Sequence, residues 1–247
     1  MSNPYNCDVL LLSAGFGKRL GDLTKNIPKP LVEVAGRTLL DRNLQYLAKS
    51  GFKKIFINLH YRADKIRNYV GDGSNWGLNV YFSEEPLLLD TGGAVAKIRD
   101  KLFGERLLVF NSDIILDSNF LLSELFDFHL SRPSDNLATL VVREDKDVDK
   151  YGSLGLSEQN QIVKFLNFTI PTSAEFKSVM FTGISILENL LISRMPSISV
   201  YSLTKDVFKI ELERGGAISG YLLDNYWCDV GTPERLVEAE TYLKNKI

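Results

Sequence analysis

The sequence predicts an α/β fold: a mostly parallel sheet sandwiched by helices, followed by a β-rich second half. Three observations predict it. The run Val9 to Leu12 is apolar without alternation, as strands buried on both faces of a parallel sheet are, and Ile55 to Leu59 and Leu107 to Phe110 read as further strands. Segments of helical period lie between them. Beyond the charged run Arg143 to Lys150, strand-like segments follow one another closely.

Each element has its own local reason. Val9 to Leu12 is bounded by Asp8 and by Ser13-Ala14-Gly15. Leu40, Leu44 and Leu47 fall at i, i+4 and i+7, and Gly51 ends that helix. After the strand Ile55 to Leu59 come a helix over Ala63 to Tyr69 and a strand over Asn79 to Phe82. Thr91 to Leu102 reads as a helix opening at Gly92-Gly93, and Leu107 to Phe110 as the fourth strand. Right-handed crossovers put the C-terminal ends of such strands on one edge, where ligands bind. In the second half, Thr139 to Val142, Ser153 to Leu156, Ile162 to Phe165, Val179 to Ile186, Ile218 to Leu223 and Trp227 to Val230 read as strands. Leu203 to Leu212 reads as a helix. A last helix starts with Thr232 as cap and Pro233 at its first position, with Leu236, Ala239 and Leu243 as its apolar stripe.

Composition excludes several classes. The 247 residues are 45% hydrophobic and 24% charged, with a formal charge of −2. Those proportions are globular, and no basic field is available for nucleic acid or an anionic membrane. No apolar run approaches the ~20 residues of a membrane helix. The start of the chain lacks a basic-then-apolar leader. Two cysteines, Cys7 and Cys228, and two histidines, His60 and His129, cannot build a disulfide scaffold, a cysteine zinc site or a histidine-rich centre. Cys228 reads as a small buried residue. The expectation is a cytoplasmic enzyme or binding protein, one domain over residues 1–247, acting as a monomer or homodimer.

The most informative stretch is Leu11 to Leu20, closing with Ile27-Pro28-Lys29-Pro30-Leu31. Small residues after a buried strand let backbone amides converge on an anion. Arg19 can grip phosphate oxygens bidentately, and Lys29 between two prolines is a preorganised charge, whereas Lys18 reads as solvated. The spacing is not a dinucleotide fingerprint, because Leu20 stands where a third glycine belongs, and it is not a P-loop. Asp90-Thr91-Gly92 matches the aspartic-protease tripeptide, but one copy in α/β patterning cannot build a proton-sharing pair. Asn58 and His60, at a strand end, are open to two readings: lining a nucleotide pocket, or a satisfied polar terminus.

Taken together, Leu12-Ser13-Ala14-Gly15-x-Gly17-x-Arg19-Leu20, Thr24 and Pro28-Lys29-Pro30-Leu31 resemble the signature of sugar-1-phosphate nucleotidyltransferases. That family usually has alanine at Ser13 and proline at Gly21. Glu85-Pro86 with Leu89 to Ala94 resembles its base-binding segment, and Asn111-Ser112-Asp113 its metal-aspartate turn, where glycine is commoner than Ser112. Phe181 to Ile184 resembles a segment facing the sugar, and Trp227 to Glu234 the closing motif with a second metal carboxylate. N-acetylmuramate 1-phosphate uridylyltransferases and mannose or heptose 1-phosphate guanylyltransferases look most similar.

The resemblance implies a three-layer, Rossmann-like, glycosyltransferase-A-like fold, with residues 1–142 as the nucleotide-binding half and residues 143–247 as the sugar-binding half. Its partners would be a nucleoside triphosphate, UTP or GTP, and a sugar 1-phosphate. Arg19 and Lys29 would be catalytic, and Asp113 and Asp229 would hold Mg²⁺. Leu12, Ser13, Ala14, Gly15, Gly17, Asn58, Glu85, Thr91, Gly92 and Gly93 would bind the nucleotide, the two adjacent glycines by letting base or ribose approach the backbone. Glu85 would read the base: an acceptor-only carboxylate suits guanine's two donors, while the segment's spacing suits uracil. Tyr151, Gly152, Asn167 and Thr182 would line the sugar side. The Glu-Lys-Pro triplet that many relatives carry there is replaced by Leu166-Asn167-Phe168. The alternatives are a regulatory subunit that binds nucleotide sugar without turnover, and a cytidylyltransferase for a phosphorylated alcohol.

Overall fold

Buried apolar runs joined by amphipathic helices organise the chain. In this computed structural model, residues 4–146, 148, 152–171 and 175–246 are described. In chain order the strands are β1 (Cys7–Leu12), β2 (Glu33–Val34), β3 (Arg37–Thr38), β4 (Lys54–Leu59), β5 (Asn79–Glu84), β6 (Arg106–Asn111), β7 (Ile114–Leu116), β8 (Asn136–Arg143), β9 (Leu154–Ser157), β10 (Ile162–Phe165), β11 (Phe168–Thr169), β12 (Phe176–Glu188), β13 (Ala217–Leu222) and β14 (Trp227–Asp229). The α-helices are α1 (Leu39–Lys49), α2 (Ala63–Val70), α3 (Asp90–Ile98), α4 (Leu122–Leu130), α5 (Asn189–Arg194), α6 (Lys209–Glu213) and α7 (Pro233–Lys244).

The chain divides into two compact units. The first comprises Met1–Leu88, Phe110–Phe120 and Asn225–Ile247; the second comprises Leu89–Val109 and Leu121–Asp224. In the first unit β1, β4 and β5 are parallel, connected through α1 and α2, with Leu12 opposite Asn58 and Asn58 opposite Ser83. This is the parallel sheet that the alternation of strand-like and helix-like segments implies. Leu40, Leu44 and Leu47 are all fully buried, and Thr38 caps α1 by accepting from the Asp41 amide at 3.0 Å. A second cluster packs Leu20, Val32, Ile115, Cys228, Val230 and Ala239, with Leu236 and Leu243 against it. It supports the antiparallel pair β7–β14, in which Ile114 faces Asp229.

The second unit contains the β-rich stretch. β8 pairs antiparallel with β12 and parallel with β13, and β12, β9, β10 and β11 pair antiparallel in succession. The motif Phe181-Thr182-Gly183-Ile184 is a bulge in β12, where the register with β8 shifts and Gly183 takes φ 86°. The expected helix over Leu203 to Leu212 is a π turn over Thr204–Phe208 running into α6.

Besides β11 and α5, three features escape the sequence reading. The hairpin β2–β3 turns at Ala35 (φ 48°) and Gly36 (φ 74°), too short to show a strand period. β7 is only three residues. The helix α4 buries Leu122, Leu125, Phe126 and His129, a stripe hidden in sequence by its apolar neighbours.

Candidate active site

The parallel strands of the first unit end level with one another, so their trailing residues meet. Ser13 follows β1 and donates its amide to Asn58 Oδ1 at 2.7 Å. Asn58 Nδ2 in turn donates to Glu85 Oε1 at 2.8 Å, and the Glu85 amide donates to the Leu59 carbonyl. Asn58 is therefore the satisfied polar strand end of the second reading: 3% exposed, it ties the glycine loop to Glu85. Glu85 is buried to the same degree rather than displayed on a loop. His60 donates from Nδ1 to the Glu85 carbonyl at 2.7 Å.

The loop after β1 leaves Gly15 exposed, with nothing within 4 Å of where a Cβ would stand. Gly17 is left-handed at φ 66°, and a Cβ there would come within 2.9 Å of Lys29 Cβ and 3.1 Å of Thr24 Cγ2. Close contact with Lys29 is the steric reason for glycine at position 17. Thr24 fastens the loop by donating to the Gly17 carbonyl at 3.0 Å. Gly21 takes φ 58°, a conformation closed to the proline usual in the resembling family. Phe16 packs edge-on against His60 with centroids 5.4 Å apart, and lies 5.5 Å from Tyr61. The sequence reading missed Phe16 and Tyr61. Tyr61 also donates to the Thr24 and Lys25 carbonyls at 2.9 Å.

Lys29 and Arg19 each meet one of the two aspartates. Lys29 donates to Asp113 Oδ2, and Arg19 Nη2 stands 3.9 Å from Asp229 Oδ2. Asp113 and Asp229 themselves are brought together by β7–β14: the Val230 amide donates to the Asp113 carbonyl at 2.9 Å. The turn before Asp113 is fixed through Ser112, whose amide and hydroxyl both donate to the Leu12 carbonyl, at 3.1 and 2.6 Å. A glycine there would lack the second bond. Asn43 donates to the Ser112 carbonyl from α1 at 2.9 Å. Burial pushes the Asp229 carboxyl above the ordinary carboxylate range; Arg235 opposes this, Asp113 adds to it, and Lys29 and Arg19 oppose it. The loop, both cations and both carboxylates thus share one locality.

Arg235, which the sequence reading did not single out, also pairs with Asp229. It occupies the third position of α7 and donates to Asp229 Oδ1. Its guanidinium lies 5.8 Å from the Trp227 ring centre. A cation in the first turn of a helix opposes the helix dipole, and that anomaly is the signal that could have revealed an acidic partner.

In the second unit the expected nucleotide and sugar residues have neighbours of their own. A Cβ on Gly92 would strike the Tyr201 ring, and one on Gly93 the Ser199 carbonyl. Both amides donate to the Tyr201 carbonyl, at 2.9 and 3.3 Å. The chain's own 199–203 segment fills the space that a side chain at either glycine would take. Thr91 Oγ1 accepts from the Leu203 amide at 2.9 Å. Thr182 is 2% exposed and donates to the Val141 carbonyl at 2.8 Å. Gly152 takes φ 90°, and a Cβ there would meet Leu166 Cδ2 at 2.7 Å. Asn167 is exposed in the turn between β10 and β11. Tyr151 lies outside the described residues.

Comparison with known proteins agrees with the motifs. The family model described as nucleotidyl transferase matches residues 8–246. The chain is 31% identical over 241 residues to a mannose-1-phosphate guanylyltransferase of Mycobacterium tuberculosis, covering 97% of this chain but 65% of that protein. It is 32% identical over 232 residues to an N-acetylmuramate alpha-1-phosphate uridylyltransferase of Neisseria meningitidis serogroup B, covering 94% and 96%. The crystal structure of HddC from Yersinia pseudotuberculosis complexed with GMP-PN superposes with a TM-score of 0.77 at 25% identity, covering 96% of this chain and 99% of that one. The α/β architecture expected from the sequence is shared with that structure. Among the described residues no helix is long and apolar enough to cross a membrane. The chain belongs to the nucleotidyl transferase family.

Proposed function

We propose that this chain transfers a nucleotidyl group from a nucleoside triphosphate, UTP or GTP, to a sugar 1-phosphate, releasing pyrophosphate. The observation that carries the reading is the meeting of Arg19, Lys29, Asp113 and Asp229 beside an open glycine loop. The sugar relatives named above support the acceptor class.

Backbone amides of Ala14 to Gly17 receive the triphosphate. Arg19 binds its β- and γ-phosphates and stabilises the leaving pyrophosphate. Lys29, held on Asp113 Oδ2, binds the α-phosphate and offsets the repulsion between two anions. An oxygen of the sugar phosphate attacks the α-phosphorus in line. A new phosphorus–oxygen bond forms, the α–β bridging bond breaks, and its electron pair leaves with pyrophosphate. The attacking oxygen is already ionised, so no general base is needed, in keeping with His60 being engaged at Glu85.

The two aspartates fit Mg²⁺. Asp113 Oδ1 is buried with no hydrogen-bond partner, an arrangement that costs free energy unless a cation faces it. Among the described residues no group of three or more His, Cys, Asp or Glu is placed to hold a metal. Mg²⁺ is satisfied by one or two carboxylates together with phosphate oxygens and water. Asp113 and Asp229 would hold it, where it would orient the phosphates and offset their charge.

The test is pyrophosphate release across four nucleoside triphosphates and several sugar 1-phosphates, with and without Mg²⁺. Release from UTP or GTP with one sugar phosphate, dependent on Mg²⁺, is the expected result. Silence throughout would overturn the reading in favour of a binder without turnover.

A further inference from the structure

Asp229 has two arginine partners of unlike character. Arg235 donates a hydrogen bond to Oδ1, and its side chain is 20% exposed. Its backbone is fixed as well, its amide donating to the capping Thr232 Oγ1 at 3.4 Å. Arg19 faces Oδ2 at 3.9 Å, beyond hydrogen-bond reach, and its side chain is 65% exposed. Arg19 follows a left-handed glycine on a short 3₁₀ turn. Gly231 marks the meeting point: a Cβ there would lie 2.9 Å from Arg19 Nη2 and 3.1 Å from Asp229 Oδ2.

We propose that Arg235 is a positioning residue that fixes Asp229 by one oxygen, so that the other serves as an exchangeable seat for Arg19. Without nucleotide, Arg19 rests at Oδ2. When a polyphosphate arrives, Arg19 transfers to it and Oδ2 becomes available to a divalent cation. Phosphate capture and metal capture are thereby coupled at one carboxylate. Arg235 makes the exchange easy because Asp229 keeps one cation throughout; a half-buried carboxylate left with Arg19 alone would hold it back. This inference rests on the roles proposed above for Arg19 and Asp229.

The test uses the full chain and two probes that need no turnover, Mn²⁺ alone by electron paramagnetic resonance and inorganic tripolyphosphate in EDTA by calorimetry. Arg235→Gln is expected to weaken tripolyphosphate binding by roughly tenfold, the scale of one charge-assisted hydrogen bond, because Arg19 is then held more tightly at Asp229, and Arg235→Lys to restore most of the loss. Mn²⁺ binding should not weaken, since the carboxylate has lost a competing cation. In an Arg19→Ala background the same substitution should leave tripolyphosphate binding unchanged, there being no Arg19 to hold back. A merely structural role for Arg235 would weaken binding of both probes in either background. Wild-type tripolyphosphate affinity in Arg235→Gln, or an equal loss in the Arg19→Ala background, overturns the proposal. Should Arg235→Gln fail to fold, Arg19→Ala decides alone: a several-fold tighter Mn²⁺ affinity supports the exchange, and no change or a fall refutes it. A wild-type chain that turns over in the pyrophosphate assay while its variants bind like it sinks only this inference. A wild-type chain that binds neither probe sinks it together with the proposed function.

Discussion

Two glycine-bearing segments look alike in sequence and differ in structure. Gly15 and Gly17 follow β1, and Gly92 and Gly93 lie in the first turn of α3. At Gly15 the space a side chain would take is open. At Gly92 and Gly93 it is filled by Tyr201 and Ser199. Gly17 is intermediate, its neighbour being the stem of Lys29. Glycine alone therefore does not report its surroundings, and only the tertiary structure says whether they are open space, another side chain or backbone.

The contrast can be broken most severely at the charges beside the first segment. Lys29→Ala and Asp113→Ala should each lower turnover by roughly two orders of magnitude or more, the scale of lost preorganised charge. Steady-state pyrophosphate release measures this, and a near-normal rate in either variant would remove that residue from the chemistry. The second segment should fail by a different route. Gly93→Ala must displace the Ser199 backbone, so it should destabilise by about 3 kcal/mol, the upper part of the overpacking range. A denaturant midpoint equal to wild type would show that the 199–203 segment yields freely. Gly15→Ala sharpens the comparison from the other side. It meets no atom, so the midpoint should move by less than about 0.5 kcal/mol. KM for the triphosphate should nevertheless rise roughly tenfold, as one phosphate–amide hydrogen bond is lost. An unchanged KM would mean that phosphate does not approach there.

The smallest effect concerns the scaffold behind the first segment. Asp117 accepts from Lys246 at 2.6 Å, from Tyr242, and from the Asn119 amide at 2.8 Å. Those bonds, Lys246 first, hold its carboxyl down to about 2 from an ordinary 3.8. A depressed carboxyl stabilises the fold above its unfolded value, and that stability is lost as pH falls towards 2. Melting temperature should therefore drop between pH 5 and pH 2.5 more steeply in wild type than in Asp117→Asn. Parallel slopes would deny the three bonds any net contribution.

Much of the first unit was legible because its determinants are local. The period of Leu40, Leu44 and Leu47, the Thr232-Pro233 start and the unbroken apolar run of β1 each name an element without reference to distant residues. Arg19, Lys29, Asp113 and Asp229 were legible as motif residues, and the structure places them together. Arg235 was not legible, because its importance arises only when the turn at Gly231 folds it back onto Asp229. Nor was the filling of Gly92 and Gly93, since Tyr201 is more than a hundred positions away in sequence. Asn58 could be read two ways from its position; only its two bonds, to Ser13 and Glu85, show what it does.

The first unit is assembled from three stretches of chain, and the last begins only at Asn225. A ribosome emits the polypeptide from its amino end. Asp229, Arg235, Tyr242 and Lys246 consequently leave the exit tunnel after every residue of the second unit. A nascent chain halted at residue 224 would own the glycine loop, Lys29 and Asp113, yet have no β14 to pair with β7 and no helix to brace it. Competence for the chemistry would thus be withheld until this last stretch has been made.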